Sequence, residues 1–282
     1  MSYQHSASFS TYLRKRILRI CPGFFAAFLF SVLIVVPLAQ NMAMLLSLDT
    51  WFWIKAIARM LTLNTPWVDG VFNTPIPYLN GPMWTIRYEF LCYLLLPLIS
   101  FFFKYNWKHY IVLLLAIISL QEITNYVAIS IVLPKPFDIE SGSFLRLFSS
   151  YIMGNIIYLA RNVVPFEKKY ALLSAILLIA LLFVKPLEHI ALITIGAYLL
   201  FYVALHYQNR WLSRIGSKVD ISYGIYLYAW PIQNLIIHYK PRIHQLSLSL
   251  LVLAIVTPIA LISWFVVEKP FIRLKTKKGA HA

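Results

Sequence analysis

Eight long apolar runs, separated by short polar segments, constrain this chain more than any other feature of its sequence. A helix needs about 20 apolar residues to cross the hydrocarbon core of a bilayer, and the runs reach or approach that length. They are Ile20–Ala39, Trp84–Phe103, Tyr110–Val132, Phe144–Ala160, Tyr170–Val184, Ile190–Leu205, Ile221–His238 and Leu248–Val267. We therefore predict an all-α fold: a polytopic membrane bundle of about eight transmembrane helices that forms a single domain over residues 1–282.

The composition excludes a water-soluble globular protein. Hydrophobic residues make up 60% of the chain and charged residues only 12%, whereas soluble domains carry roughly 25% charged residues. If each span takes about 20 residues, eight spans use roughly 160 of them and leave only connections. The chain therefore has no room for a separate soluble enzyme domain.

The net charge of +15 lies mainly in the connections between the apolar runs. If the N-terminus is cytoplasmic, 17 Lys and Arg residues fall in cytoplasmic segments and 6 in external ones. This excess is typical of the cytoplasmic loops of membrane proteins. It predicts both chain ends in the cytoplasm and the lipid bilayer as a partner, and it argues against binding to nucleic acid.

Residues 40–82 form one long external connection in this topology. Its segment Trp51–Leu63 has an apolar helical face, with Lys55 and Arg59 off that face, which predicts an interfacial helix on the outer leaflet. That face consists of Trp51, Ile54, Ile57, Ala58 and Leu61. The following segment, Asn64–Pro82, contains four prolines that exclude regular structure, and we expect a partly ordered lid over an outward cavity.

A basic segment precedes the first span and contains Arg14, Arg16 and Arg19. Guanidinium groups bind phosphates through paired hydrogen bonds, so these residues could hold the phosphates of coenzyme A. The alternative is a topology anchor that contacts lipid headgroups, and on charge alone it is the commoner case.

Two opposite charges, Arg87 and Glu89, enter the second span within its first two turns. An ionisable residue inside a span is a functional candidate by default. Residues two apart point to different sides of a helix, so these two are not each other's partner. We expect Glu89 to be desolvated and able to act as a general base toward a hydroxyl. A structural ion pair between helices accounts for the same pattern equally well.

Two weaker groups lie at the ends of the last two spans. Asp220 is a predicted N-cap for the seventh span, with Tyr223 in its first turn, and Glu268 precedes the helix stop at Pro270. Aromatic residues at the membrane interface and a terminal acid explain both without a function. No H-x-x-x-H or C-x-x-C spacing occurs, so the sequence predicts no metal site.

In this order, the four groups together resemble the integral-membrane acyltransferase family three, whose members O-acylate cell-surface glycans in bacteria. The similarity covers essentially the whole chain from Phe9 to Arg273. The shared patterns are F-x-x-Y-L-x-x-R-x-x-R-I-x-P (Phe9–Pro22), W-T-x-x-x-E-F-x-x-Y-x-x-x-P (Trp84–Pro97), S-Y-G-x-Y-L (Ser222–Leu227) and V-E-K-P (Val267–Pro270).

The resemblance implies a multi-pass protein of the bacterial inner membrane that moves an acyl group, most often acetyl, from acyl-CoA to a hydroxyl of a cell-surface or lipid-linked glycan. Acyl-CoA would be a donor substrate, with no permanently bound cofactor. The implied roles are acyl-CoA binding for Arg14, Arg16 and Arg19, catalysis for Glu89 and Glu268, and substrate binding or support for Trp84, Arg87 and Tyr223.

Family members carry two spans before the arginine motif, and the first of these holds a histidine thought to be catalytic. This chain begins after them, so we expect the domain to be N-terminally truncated and its transferase activity to depend on the missing part. Two alternatives stay open: a membrane carrier or flippase for a lipid-linked sugar, and an inactive fragment.

Overall fold

The computed structural model describes residues 8–72, 78–127, 129–134, 137–185, 187–206 and 219–274. These residues are mainly helical, and the β-structure among them is one isolated antiparallel bridge between Val132 and Glu140. The predicted all-α class is therefore confirmed.

Thirteen α-helices are described, and three short π-helical turns continue some of them. The α-helices are α1 Phe9–Phe30, α2 Val36–Ala39, α3 Met42–Leu46, α4 Thr50–Leu61, α5 Trp84–Phe103, α6 Trp107–Tyr126, α7 Ser141–Leu159, α8 Lys168–Leu181, α9 Glu188–Ala191, α10 Ala197–His206, α11 Ser222–Tyr239, α12 Gln245–Ser263 and α13 Lys269–Arg273. The π-turns are Ser31–Val35, Leu192–Gly196 and Trp264–Glu268. They join α1 to α2, α9 to α10 and α12 to α13.

Helices occur at all eight positions that the sequence predicts, with ends that differ by a few residues. Within the described ranges, three helical stretches are long and apolar enough to cross a membrane: Phe9–Ala39, Trp84–Phe103 and Gln245–Arg273. The structure thus supports a membrane protein. Eight spans with both ends in the cytoplasm stay a prediction.

The long connection contains the predicted amphipathic helix as α4. Asp49 caps it by accepting a hydrogen bond from the backbone N–H of Phe52 at 2.7 Å. The described parts of the proline-containing segment that follows, residues 62–72 and 78–83, form no helix or strand, as predicted. Pro75 and Pro77 lie outside the described residues.

Contacts divide the chain into two compact units. The first unit comprises Ser10–Phe90, Lys135–Phe137 and Ile215–Ala282. Its core includes Phe24, Val35, Leu227 and Val256, all nearly or fully buried. Helices α11 and α12 pack closely because Gly224 faces Ala260, and a Cβ at position 224 would lie 2.9 Å from the Cβ of Ala260.

The second unit comprises Met1–Phe9, Leu91–Pro134 and Asp138–Arg214. Helices α6 and α7 pack against each other there, and the core includes Tyr110, Leu114, Ile152 and Ile156. The Tyr110 hydroxyl lies 3.3 Å from Ser100 Oγ.

Many large apolar side chains of both units face outward. Phe101, Leu115, Leu172, Leu250 and Val266 are all exposed. Large apolar side chains are exposed on most of the long helices of each unit, which is more than a water-soluble protein usually leaves uncovered. Contact with lipid explains it.

Candidate active site

The predicted phosphate-binding arginines lie along α1 but do not share one face. Arg14 is exposed. Arg16 and Arg19 follow Tyr12 at helical spacing: the Arg16 guanidinium carbon lies 5.5 Å from the centre of the Tyr12 ring, and Arg19 Nη2 donates to Asp220 Oδ2 at 2.9 Å. Because residues on a helix are about 100° apart, Arg14 lies roughly 160° around the axis from Arg16.

Asp220 joins the start of α11 to Arg19. It accepts hydrogen bonds from the Ser222 hydroxyl at 2.6 Å and from the Ser222 backbone N–H at 3.4 Å. The N-cap residue is Ile221 and not Asp220, so Asp220 bonds to the first turn from the position before the N-cap. Partial burial opposes ionisation, but the hydrogen bonds from Ser222 and Arg19 and the charge of Arg19 outweigh it and lower the pKa of Asp220.

Tyr223 packs directly against α1. Its hydroxyl donates to the carbonyl oxygen of Ile20 at 3.0 Å. Its ring covers Gly23, where a Cβ would lie 2.7 Å from a ring carbon and 3.4 Å from Cγ of Glu268. The absence of a side chain at position 23 therefore allows Tyr223 and Glu268 to meet over the helix backbone.

Glu268 is a buried carboxylate, with 3% of the residue exposed. It accepts a hydrogen bond from Ser263 Oγ at 3.1 Å, and Ser263 accepts one from the Tyr228 hydroxyl at 3.3 Å. The π-turn has hydrogen bonds between residues five apart, so it places Ser263 and Glu268 on the same side of the helix. Glu268 also interacts electrostatically with Asp220 and Arg19.

Glu89 lies on the exposed side of α5 and interacts electrostatically with Tyr223 and Tyr226. The described residues do not provide the desolvation that the sequence predicts for Glu89. Thr85 lies one turn before Glu89 on α5, and its Oγ1 is 2.6 Å from the Tyr226 hydroxyl of α11. The Tyr226 hydroxyl donates to the carbonyl of Pro82. The Thr85 hydroxyl also lies within hydrogen-bonding distance of the Pro82 carbonyl, at 3.4 Å, so the two hydroxyls and this carbonyl form one small hydrogen-bonded group.

Arg87 and Trp84 make other contacts near the start of α5. Arg87 donates to the side-chain oxygen of Asn64 and to the carbonyl of Phe137, and its guanidinium carbon lies 5.1 Å from the centre of the Tyr88 ring. The Trp84 and Tyr88 rings meet edge to face at 5.5 Å. These contacts place Arg87 on the loops beside α5.

Asn80 attaches the irregular segment before α5 to the middle of α11. The residue is fully buried, and its Nδ2 donates to the carbonyl of Leu227 at 2.9 Å and lies 3.3 Å from Ser31 Oγ. Pro231 lacks a backbone N–H, so the carbonyl four residues before it, that of Leu227, has no donor within the helix. The Asn80 amide supplies that donor.

Two further contacts hold the same segment. Trp230 Nε1 and Asn234 Nδ2 both donate to the carbonyl of Tyr78, at 3.0 and 3.2 Å. Gly81 lies against the Trp230 ring, where a Cβ would come within 3.0 Å of the indole. These contacts fix the position of the start of α5, which carries Thr85 and Glu89, relative to α11.

The structure brings four of the eight predicted site residues into one electrostatically connected cluster: Arg19, Glu89, Tyr223 and Glu268. Arg16, Trp84 and Arg87 make separate contacts, and Arg14 is exposed on α1. The cluster combines a cation for anion binding with two carboxylates that can accept a proton.

Sequence reasoning missed several residues of this arrangement. It treated Asp220 only as a cap, and it did not single out Ser263, Tyr228, Thr85 or Asn80 as supporting groups. One signal was available, since Pro231 inside an apolar run predicts an open carbonyl at Leu227 that needs an outside donor. Nothing in the sequence pointed to Ser263 beside Glu268, because the π-turn creates that contact.

Comparison with known proteins gives three findings. The model of the acyltransferase 3 family, described as an acyltransferase domain, matches residues 1–269. The chain is similar to an O-acetyl transferase of Shigella phage Sf6, with 25% identity over 236 residues that cover 79% of this chain and 66% of the phage protein. It thus spans just under two thirds of that relative's length. No solved structure matches the chain.

Proposed function

Because this chain belongs to the acyltransferase 3 family, we propose that it is an O-acyltransferase that moves an acyl group, acetyl in the first instance, from acyl-CoA to a hydroxyl of a cell-surface or lipid-linked glycan. The similar phage protein is an O-acetyl transferase, which supports acetyl as the transferred group. The apolar helices support an acceptor that is reached at a membrane.

The observation that carries the proposal is the cluster formed by Arg19, Asp220, Tyr223, Glu89 and the buried Glu268. A carboxylate that is 3% exposed costs free energy unless hydrogen bonds and nearby cations offset its desolvation. Ser263 and Arg19 offset part of this cost, and the nearby Asp220 adds to it. Ionisable groups gathered in this way within a membrane segment are typical of a functional site.

Arg14, Arg16 and Arg19 are the proposed ligands of the phosphate groups of acyl-CoA. Asp220 holds Arg19 through one guanidinium nitrogen, and 45% of the Arg19 side chain is exposed. Arginine carries five N–H donors, so the others are available to a phosphate. Arg14 is fully on the surface side of α1 and would reach a different phosphate from Arg19.

Glu89 is the proposed general base. The acceptor hydroxyl oxygen attacks the thioester carbonyl carbon, forming the ester C–O bond as the C–S bond breaks. The hydroxyl proton passes to Glu89 and then to the departing thiolate, which leaves as the free thiol of coenzyme A. Glu268 is the proposed second catalytic carboxylate, and Trp84, Arg87 and Tyr223 would bind the substrate or support the site.

The test is transfer of radiolabelled acetyl from acetyl-CoA to glycan in inverted membrane vesicles. We expect Glu89→Gln and Arg19→Ala to lower the rate at least 100-fold, because a positioned base contributes about 10²–10⁴-fold. Lys15→Ala removes a neighbouring charge from the same helix and is the matched control. Wild-type rates in Glu89→Gln and Arg19→Ala proteins that insert normally would overturn the roles of these residues. No transfer above that of vesicles without the protein would exclude the enzyme and leave the carrier or an inactive fragment.

We also place the protein in the bacterial inner membrane with eight spans and both ends in the cytoplasm. The basic residues of the connections support this topology. In a background without Cys21 and Cys92, an impermeant thiol reagent added to intact spheroplasts should label Glu188→Cys and spare Glu167→Cys. The reverse pattern would contradict the topology.

A further inference from the structure

The apolar face of α4 is turned away from the first unit. Its exposed residues are Trp51 at 59%, Ile54 at 51%, Ile57 at 53% and Leu61 at 66%. The one buried residue of this helix is Ala56. Lys55 lies beside the apolar face, with its ammonium nitrogen 5.2 Å from the centre of the Trp51 ring. An amphipathic helix of this kind is suited to the boundary between lipid chains and headgroups.

The chain segments before and after α4 both contact the end of the first unit where α2 and α11 end. The Tyr239 hydroxyl donates to the carbonyl of Leu38, which joins the two helix ends. The segment that follows α4 reaches the same place, because Gln40 Nε2 donates to the carbonyl of Val71 at 2.8 Å and the rings of Phe72 and His238 lie 6.0 Å apart.

The turn between α11 and α12, at this same end, borders an open cavity of about 600 Å³. It is lined by Lys240, Pro241, Arg242, Ile243, Ser247 and Leu251. The two cations are exposed, and their side chains form no hydrogen bond or ion pair with any other residue in the described part of the chain. Cations therefore border one part of the cavity and apolar side chains another.

We propose that this end of the first unit binds the membrane surface, with Lys240 and Arg242 holding the phosphate of an anionic phospholipid and α4 lying in the headgroup layer beside it. The proposal does not depend on the transferase activity.

The position of the cavity favours a lipid over a free phosphate. Helix α12 begins the candidate membrane span Gln245–Arg273, so a cavity at its first turns lies at the level of the headgroups. Leu251 lines the cavity, and both it and its neighbour Leu250 on α12 are exposed, so they offer an apolar surface to an acyl chain. An anion without a lipid tail would bind Lys240 and Arg242 but would leave this apolar surface in contact with water.

The first experiment measures retention of phosphatidylglycerol and of phosphatidylcholine by the purified full chain in detergent, using native mass spectrometry. A Lys or Arg near an anionic membrane surface contributes about fivefold in binding, so Lys240→Gln with Arg242→Gln should weaken phosphatidylglycerol binding roughly 25-fold. The matched control, Lys104→Gln with Lys108→Gln, removes the same charge elsewhere and should keep wild-type binding. Equal losses in both double variants would overturn the site.

Inorganic phosphate is the second probe. Phosphatidylglycerol should raise the Tm of the wild-type protein, whereas millimolar phosphate alone should leave it unchanged. An equal rise in Tm with phosphate alone would show that the cavity binds a free anion, and it would contradict the lipid proposal.

A fluorophore on a single cysteine tests α4 in nanodiscs that contain spin-labelled lipids. We expect strong quenching from Ile54→Cys, at the middle of the apolar face, and weak quenching from Arg59→Cys, about 140° around the helix. Equal quenching at the two positions, or none at either, would contradict a helix that lies on the membrane.

Discussion

The side chain of Asn80 donates a hydrogen bond of 2.9 Å to the carbonyl of Leu227, the carbonyl that Pro231 leaves without a helical donor. A proline in the middle of α11 thereby creates an attachment point for a segment almost 150 residues away in the chain. That segment leads directly into α5. The contact therefore fixes the positions of Thr85 and Glu89 relative to the tyrosines of α11.

Replacing Asn80 should destabilise the protein through the Leu227 carbonyl. Asn80→Ala leaves a buried acceptor unsatisfied, which costs about 1–3 kcal/mol, and we expect a lower Tm in detergent. Pro231→Ala restores a backbone N–H to α11, so Asn80→Ala should cost less in that background. If the stability changes of Asn80→Ala and Pro231→Ala simply add in the double variant, Asn80 does not compensate for the hydrogen bond that Pro231 removes.

Gly23 should be intolerant of even a methyl group. Gly23→Ala places a Cβ 2.7 Å from the Tyr223 ring, so either the ring or α1 must move, and acyl transfer should fall at least tenfold. Gly154→Ala is the control within another helix, because no atom lies within 4 Å of its Cβ position. The Ala substitution there should raise helix stability slightly. Similar transfer rates in the two variants would show that the Tyr223 position does not matter.

The Ser263 hydroxyl should support Glu268. Ser263→Ala removes the donor to a buried carboxylate, and the lost hydrogen bond should cost about 1–3 kcal/mol. Transfer rates should fall with it, mainly in kcat if Glu268 acts on the reacting groups. Ser263→Thr keeps a hydroxyl and should retain most of the activity. A threonine variant as impaired as the alanine variant would indicate that packing, and not the hydrogen bond, matters at this position.

The Arg19–Asp220 pair should contribute stability that depends on pH. The folded protein lowers the pKa of Asp220 below its ordinary value of 3.8, so the contribution is complete above that value and disappears as the pH falls through the lower, folded pKa. The pair is partly exposed, and we expect no more than about 1 kcal/mol. The difference in unfolding free energy between wild type and Asp220→Asn should be constant from pH 5 to 8 and shrink below pH 4. A difference that grows in acid would contradict this assignment.

Patterns that repeat along the chain were sufficient to predict the fold class. Apolar runs, proline positions and the face of Trp51, Ile54 and Leu61 each depend on neighbours within one or two helical turns. Helices therefore formed where the sequence predicted them, and α4 formed as an amphipathic helix. The four motifs, taken together, also identified the family correctly, because their order along the chain is more specific than any one of them.

The sequence predicted only some of the residues that form the candidate site. Arg14, Arg16 and Arg19 look equivalent in the sequence, but helical geometry separates Arg14 from the other two, and Asp220 selects Arg19. Glu89 looked buried because it lies in an apolar run, yet the described residues leave it exposed. The burial of a residue depends on which helices surround it. The sequence of one apolar segment does not show which helices pack against it.

The sequence by itself thus determined that the chain is helical, that its helices suit a membrane and which family it resembles, because these properties follow from local periodicity and composition. Only the tertiary structure decided that Glu268 meets Ser263 across a π-turn, that Tyr223 covers Gly23 and that Asn80 satisfies Leu227. Each of these contacts depends on a change of helical register or on two helices packing at a specific angle. Such geometry is set by the free energy of the whole fold, and no single segment encodes it.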